Sequence, residues 1–93
     1  MRFEWDPQKA KINLRKHRVA FTEAATVFGD PLSITVPDPD HSMDEERLLI
    51  IGQSQQGRLL IVAFAEREDR IRIISARELT RSEKIAYEED IYS

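Results

Sequence analysis

From residue 67 to residue 83 the chain reads R-E-D-R-I-R-I-I-S-A-R-E-L-T-R-S-E, an apolar β-branched run threaded with arginines and followed by a helix start. A guanidinium fork matches phosphate bidentately and stabilises charge that develops on it. Two other residue types that move protons lie outside this segment, His17 and Tyr87. Histidine titrates near neutrality and acts as acid or base, and a tyrosine hydroxyl can donate or position a proton. Arginines with such a partner suit phosphodiester chemistry without a metal. RNA is the natural substrate, because its 2′-hydroxyl is an internal nucleophile once a base takes its proton.

Other chemistries are poorly served. There is no P-loop, no G-x-G-x-x-G and no H-E-x-x-H, and the two histidines, His17 and His41, are far apart in the chain. Ser75 lies between Ile74 and Ala76 without the glycines of a nucleophile elbow. Asp38, Asp40 and Asp44 lack the glycine and terminal glutamate spacing of an EF-hand, so they read as a solvated acidic loop that also holds His41. With no cysteine there is neither a disulfide framework nor a thiolate site. No cofactor and no metal is expected.

Ninety-three residues make one domain, spanning 1–93. A hydrophobic content of 41% with 33% charged residues is that of a globular chain. The longest apolar run, Leu59 to Ala65, falls well short of the ~20 residues needed to span a bilayer. No secretory signal opens the sequence, so a cytoplasmic protein is expected. The net charge of −3 argues against a general nucleic-acid binder, but basic residues cluster. Lys9, Lys11, Arg15, Lys16, His17 and Arg18 form one acid-free segment, and Arg67 to Lys84 holds a second basic group. Solvated helix faces and strand ends explain such clusters as readily as an anion site.

The elements that must position these residues follow from pattern. Phe3-Glu4-Trp5 is a short strand with its aromatics inward. Asp6-Pro7 starts a helix that runs to about His17, aspartate as N-cap and proline at the first position. Thr22 is the expected N-cap of a second, short helix ended by Gly29. Leu32 to Val36, Arg47 to Gln53, Leu59 to Arg67 and Arg70 to Arg77 are strands, with turns at Gln55-Gln56-Gly57 and Glu68-Asp69. Thr80 and Glu83 fit a capping box for a last helix to about Ile91. That helix carries Arg81 and Lys84 in its first turn and Glu88, Glu89 and Asp90 in its last, against its own dipole. Strand, two helices, four-stranded antiparallel meander and helix make an α+β domain with helices on one sheet face. In a regular last strand Arg72 and Arg77 point to opposite faces, so Arg77 is expected to turn towards Arg81 and Arg72 to stand apart. Glu66, Glu78 and Glu83 are the acids that could pair with these arginines instead.

These residues together resemble the BrnT toxins of bacterial type II toxin–antitoxin modules, relatives of the RelE-like ribonucleases. The resemblance is carried by Phe3-Glu4-Trp5-Asp6 with Lys9, Asn13 with Lys16-His17, Phe21 with Ala24, and Phe28 with Asp30-Pro31. It continues through Glu46-Arg47, Gly52, the Leu59 to Val62 strand, Arg72 to Arg77, Thr80-Arg81 with Glu83, and Tyr87. Arg18 stands where a glycine commonly follows the histidine, and Leu79 where alanine is usual. The resemblance implies a RelE-like fold and metal-independent RNA cleavage that inhibits translation. It also implies neutralisation by a BrnA-like antitoxin with a ribbon-helix-helix DNA-binding segment, DNA being reached only through that partner. On this basis Arg67, Arg77 and Arg81 are expected on phosphate, His17 or Tyr87 on proton transfer, and Lys9, Lys16 and Arg47 on the RNA backbone. The competing expectation is a non-catalytic module that uses its arginines only to dock a protein partner. Direct DNA binding is disfavoured by the negative charge and the lack of a recognition-helix pattern.

Overall fold

A computed structural model describes residues 1–40 and 46–92, and the expectations for His41 and Asp44 lie outside them. In chain order the elements are β1 (Arg2–Glu4), α1 (Pro7–His17), α2 (Phe21–Thr26), a 3-10 turn (Val27–Gly29), β2 (Ile34–Pro37), β3 (Arg47–Gln53), β4 (Leu59–Arg67), β5 (Arg70–Glu78) and α3 (Arg81–Tyr92). The sheet order is β1-β5-β4-β3-β2. Strands β2 to β5 form the expected antiparallel meander. The short first strand joins its far side in parallel, Phe3 opposite Ile71, so the sheet is mixed.

Alternation along β4 explains the layering. Leu60, Val62 and Phe64 face α1 and α2, where they meet Val19, Phe21, Ala24 and Val27 in one buried cluster with Ile50, Ile71, Ile73 and Ala76. The aromatics extend this core: Phe28 contacts Phe64 at 4.9 Å and Phe3 at 5.2 Å between ring centroids, and Trp5 meets Phe21 edge-on at 5.9 Å. Ile61, Ala63 and Ala65 are left on the other face. Helix α3 does not join its fellows. Its Ala86 and Tyr87 line a cleft with Ile34, Val36, Ile51 and Ile61, which belong to the opposite face. Helices therefore flank both faces, because β4 is apolar on both and its second face also needs cover.

Local signals acted largely as expected. The Asp6 carboxylate accepts from the Gln8 N–H at 2.8 Å, with Pro7 at the first helical position. Helix α2, however, is capped by Ala20 without a side-chain bond and begins at Phe21, so Thr22 lies inside it. Burial of Phe21 in the core fixes the start where propensity alone favours the hydroxyl residue. Strand β2 starts at Ile34 rather than Leu32, because Asp30 Oδ1 accepts from the Leu32 N–H at 2.9 Å and holds that residue in a turn. The other oxygen, Oδ2, accepts from the Gln53 N–H at 2.8 Å. Gly52 lies beneath it: a Cβ there would meet Asp30 Oδ2 at 2.9 Å and Ser33 Cβ at 3.0 Å. This close approach is what requires glycine.

Candidate active site

Strand β5 carries the feature that regular alternation misses. Its pairing with β4 runs Ala65↔Arg72 and Phe64↔Ile73, then resumes at Ala63↔Ser75 and Ile61↔Arg77. Ile74 is the extra residue, a β-bulge, and every position after it switches face. Arg72, Ser75 and Arg77 therefore share one face of the sheet, together with Ala65, Ala63 and Ile61 opposite them. The expectation that Arg72 and Arg77 diverge is corrected by this one inserted residue.

The same face receives Arg47, opposite Ala65 from the β3 side, and Arg67 and Arg70, paired across the β4–β5 turn. At ~3.3 Å per residue the Arg67 and Arg77 rows stand roughly 20 Å apart along the sheet. Arg70 is held by Glu4 at 3.3 Å, and Glu4 is also the register partner of Arg72.

Helix α1 reaches this face because of Asn13. Strand β1 pairs with β5 only as far as Arg72, so the later part of that edge has no strand beside it. There Asn13, 6% exposed, takes the place of a strand. Its Nδ2 donates to the Ala76 carbonyl at 2.8 Å and its Oδ1 accepts from the Ala76 N–H at 3.1 Å. The same nitrogen donates to the Val19 carbonyl at 2.9 Å. One turn further on, half-buried His17 stands over the sheet edge. It shares a cleft of about 310 Å³ with Ser75, Arg77, Ile61, Ala63, Leu49, Asp38 and Asp40. A contiguous depression on its other side is lined by His17 and Ser75 again, with Lys9 and Lys16. The cleft thus holds His17, Ser75 and Arg77 with two aspartates, and Lys9 and Lys16 line the adjoining depression, which shares His17 and Ser75 with it.

Arg77 is oriented by an acid. Its Nη1 and Nη2 donate to the two carboxylate oxygens of Glu83 at 2.8 and 3.0 Å, a bidentate pair. Glu83 Oε1 also accepts from the Thr80 N–H at 2.8 Å, completing the expected capping box. The Arg77 guanidinium, followed by the Thr80 amide, holds the Glu83 carboxyl down at about 2. The Glu83 carboxylate in turn raises the Arg77 pKa. Of the acids expected to pair with these arginines, Glu83 takes Arg77.

The remaining expected residues are placed elsewhere. Arg81 is exposed in the first turn of α3 and forms no ion pair among the described residues. Arg67 is exposed at the end of β4. Tyr87 is buried, its Oη donating to the Leu32 carbonyl at 3.0 Å, and burial, then the nearby Asp30 charge, pushes its phenol pKa up. It lines the more apolar cleft under α3, not the groove of His17. Two positions escaped sequence reasoning. Ser75 joins the groove only through the bulge. Buried Glu23 accepts from Arg58 Nε at 3.0 Å and from Ser54 Oγ at 2.8 Å, tying α2 to the β3–β4 turn. The Arg58 hydrogen bond is the main reason the Glu23 pKa is lowered. No local pattern marks Glu23 for this role, since its partner lies 35 residues away.

Comparison with known families decides the assignment. The model of the family described as "Ribonuclease toxin, BrnT, of type II toxin-antitoxin system" matches residues 5–83. The chain belongs to the BrnT family. The crystal structure of the Brucella abortus ribonuclease toxin BrnT shares its fold, with a TM-score of 0.69 at 23% identity over 87% of this chain and 99% of that one. No curated protein matches the sequence. As a BrnT-family toxin of a type II system, the chain has a protein antitoxin as its partner. The matched span contains α1 with His17, the bulged strand with Arg72, Ser75 and Arg77, and the Arg77–Glu83 pair. It stops short of Tyr87. Among the described residues no helix is long and apolar enough to cross a membrane.

Proposed function

We propose that this BrnT-family chain is a metal-independent endoribonuclease that cleaves RNA and thereby inhibits translation in the cytoplasm. The observation that carries the reading is the convergence of His17, Ser75 and Arg77 on one groove with Lys9 and Lys16 on its flank. His17 takes the proton of a 2′-hydroxyl, the O2′–P bond forms and the P–O5′ bond breaks. The products are a 2′,3′-cyclic phosphate and a 5′-hydroxyl, which receives the proton that His17 took. Arg77, held in a fixed plane by Glu83, turns the guanidinium N–H groups that Glu83 leaves free to the charge that grows on phosphorus, and Arg81 adds positive charge from the exposed first turn of α3. Lys9, Lys16, Arg47 and Arg67 hold flanking phosphates. Tyr87 serves packing, since its hydroxyl already donates to Leu32. The antitoxin is of the BrnA type, bearing a ribbon-helix-helix segment through which alone the complex meets DNA.

The test is cleavage of RNA by purified protein in excess chelator. Wild type should yield fragments ending in cyclic phosphate, and Arg77→Ala, Arg81→Ala and His17→Ala should each lose most of the activity while remaining folded. In cells, induction of wild type without antitoxin should stop protein synthesis, and the double arginine variant should not. Intact RNA beside folded wild-type protein would leave only a docking module.

A further inference from the structure

We infer that Arg72 and Arg47 form a phosphate subsite on the open sheet face, one step removed from the groove of His17. Arg47 on β3 and Arg72 on β5 are both in register with Ala65 of β4, one on each side. Two strand spacings of ~4.8 Å set their Cα atoms roughly 10 Å apart, so two long side chains can close on one anion between them. The residue beneath is alanine, short enough for the stems of both arginines to lie over it. Ala65 is 3% exposed although no helix residue pairs with it in the buried cluster, and its two arginine neighbours are half-buried.

Charge pairing points the same way. Glu4, the acid in register with Arg72, is taken by Arg70, and among the described residues neither Arg72 nor Arg47 is in an ion pair. Both residues are half-buried and carry a charge that no described carboxylate offsets, and a ligand anion can supply that missing partner. Position fixes which anion. The Ala65 row lies one pleat repeat, ~7 Å, from the Ala63–Ser75 row that floors the groove. A single RNA strand laid along the face therefore presents a neighbouring phosphodiester to Arg72 and Arg47 while another sits by His17 and Arg77. The bulge at Ile74 makes this arrangement, since without it Arg72 would face the core side.

The subsite rests on the proposed RNA cleavage, and its test separates the two. Binding of a short, fully 2′-O-methylated RNA, which cannot be cleaved, is measured against salt for wild type, Arg72→Ala, Arg72→Lys and Lys11→Ala. Lys11 lies on the far side of α1, beside Trp5 and Leu14, and controls for net charge. Arg72→Ala should weaken binding roughly tenfold and lower the slope of log affinity against log salt by about 0.7, one phosphate of a single strand. Arg72→Lys should restore the slope but not the full affinity, and Lys11→Ala should match wild type. With unmodified RNA, Arg72→Ala should raise KM and leave kcat nearly unchanged. The subsite is overturned if Arg72→Ala, shown folded by its melting curve, binds the probe with wild-type affinity and slope, or if wild type does not bind it. A wild type that binds the probe with this Arg72 dependence yet leaves unmodified RNA intact would remove the nuclease reading and keep the subsite.

Discussion

The Asn13 side chain pairs with both backbone groups of Ala76, its Nδ2 2.8 Å from the carbonyl and its Oδ1 3.1 Å from the N–H. A helix residue thus closes a strand edge, and the distance from α1 to the bulged part of β5 is set by two hydrogen bonds. Everything α1 brings to the groove, His17 and the two lysines included, depends on this contact.

Replacing Asn13 by alanine should therefore cost about 2–4 kcal/mol in urea unfolding, since three buried backbone groups lose their partner. Activity should fall further than stability, because His17 loses its position. An Asn13→Ala protein within 0.5 kcal/mol of wild type would show that the edge is satisfied some other way.

Glu83 makes a pH prediction. Its pKa is lowered to about 2 in the fold, so it binds its proton more weakly there than in the unfolded chain. The stability it contributes is complete above ~4.5, the unfolded value, and drains away as pH falls towards 2. Unfolding curves for wild type and Glu83→Gln should converge across that window. A constant gap between them from pH 5 to pH 2 would contradict the role given to the carboxylate.

Arg18 ends α1 in the left-handed region, φ 60° and ψ 30°, with its N–H bonded to the Leu14 carbonyl. A residue with a Cβ is strained there by roughly 1–2 kcal/mol, while glycine is not. Its carbonyl, which accepts from Arg58 Nη2 at 3.0 Å, survives substitution. Arg18→Gly should raise stability by up to about 1 kcal/mol, read as a higher Tm.

Gly52→Ala should do the reverse. The added methyl would sit 2.9 Å from Asp30 Oδ2 and 3.1 Å from Val27 Cγ1. Moving Asp30 breaks its bond to the Gln53 N–H, so a loss of about 1–3 kcal/mol is expected. A neutral substitution would mean that the Asp30 turn shifts freely.

Tyr87→Phe separates packing from chemistry. Deleting the hydroxyl leaves the Leu32 carbonyl without its donor and should cost about 1 kcal/mol of stability. RNA cleavage should persist at near the wild-type rate. The raised phenol pKa adds a second sign. Wild type should lose stability as pH rises past ~10, where the unfolded chain ionises first, and the phenylalanine variant should lose less. A large drop in cleavage at unchanged stability would return Tyr87 to the chemistry.

The sequence by itself determined the element order, because hydrophobic period, caps and turns are written within a few residues of one another. Asp6-Pro7, the Thr80–Glu83 box and the doubly apolar β4 were all legible this way. What it left open were relationships between distant positions. The face on which Arg72 points depends on a bulge that appears only when β5 is set against β4. The partner of Arg77 among several nearby acids, the burial of Glu23 against Arg58, and the departure of α3 to the second sheet face were decided by packing. Local patterning fixes which residues lie on one face of a regular element. Only tertiary pairing can insert an extra residue into a strand, and that single insertion brings Arg72, Ser75 and Arg77 to the same side.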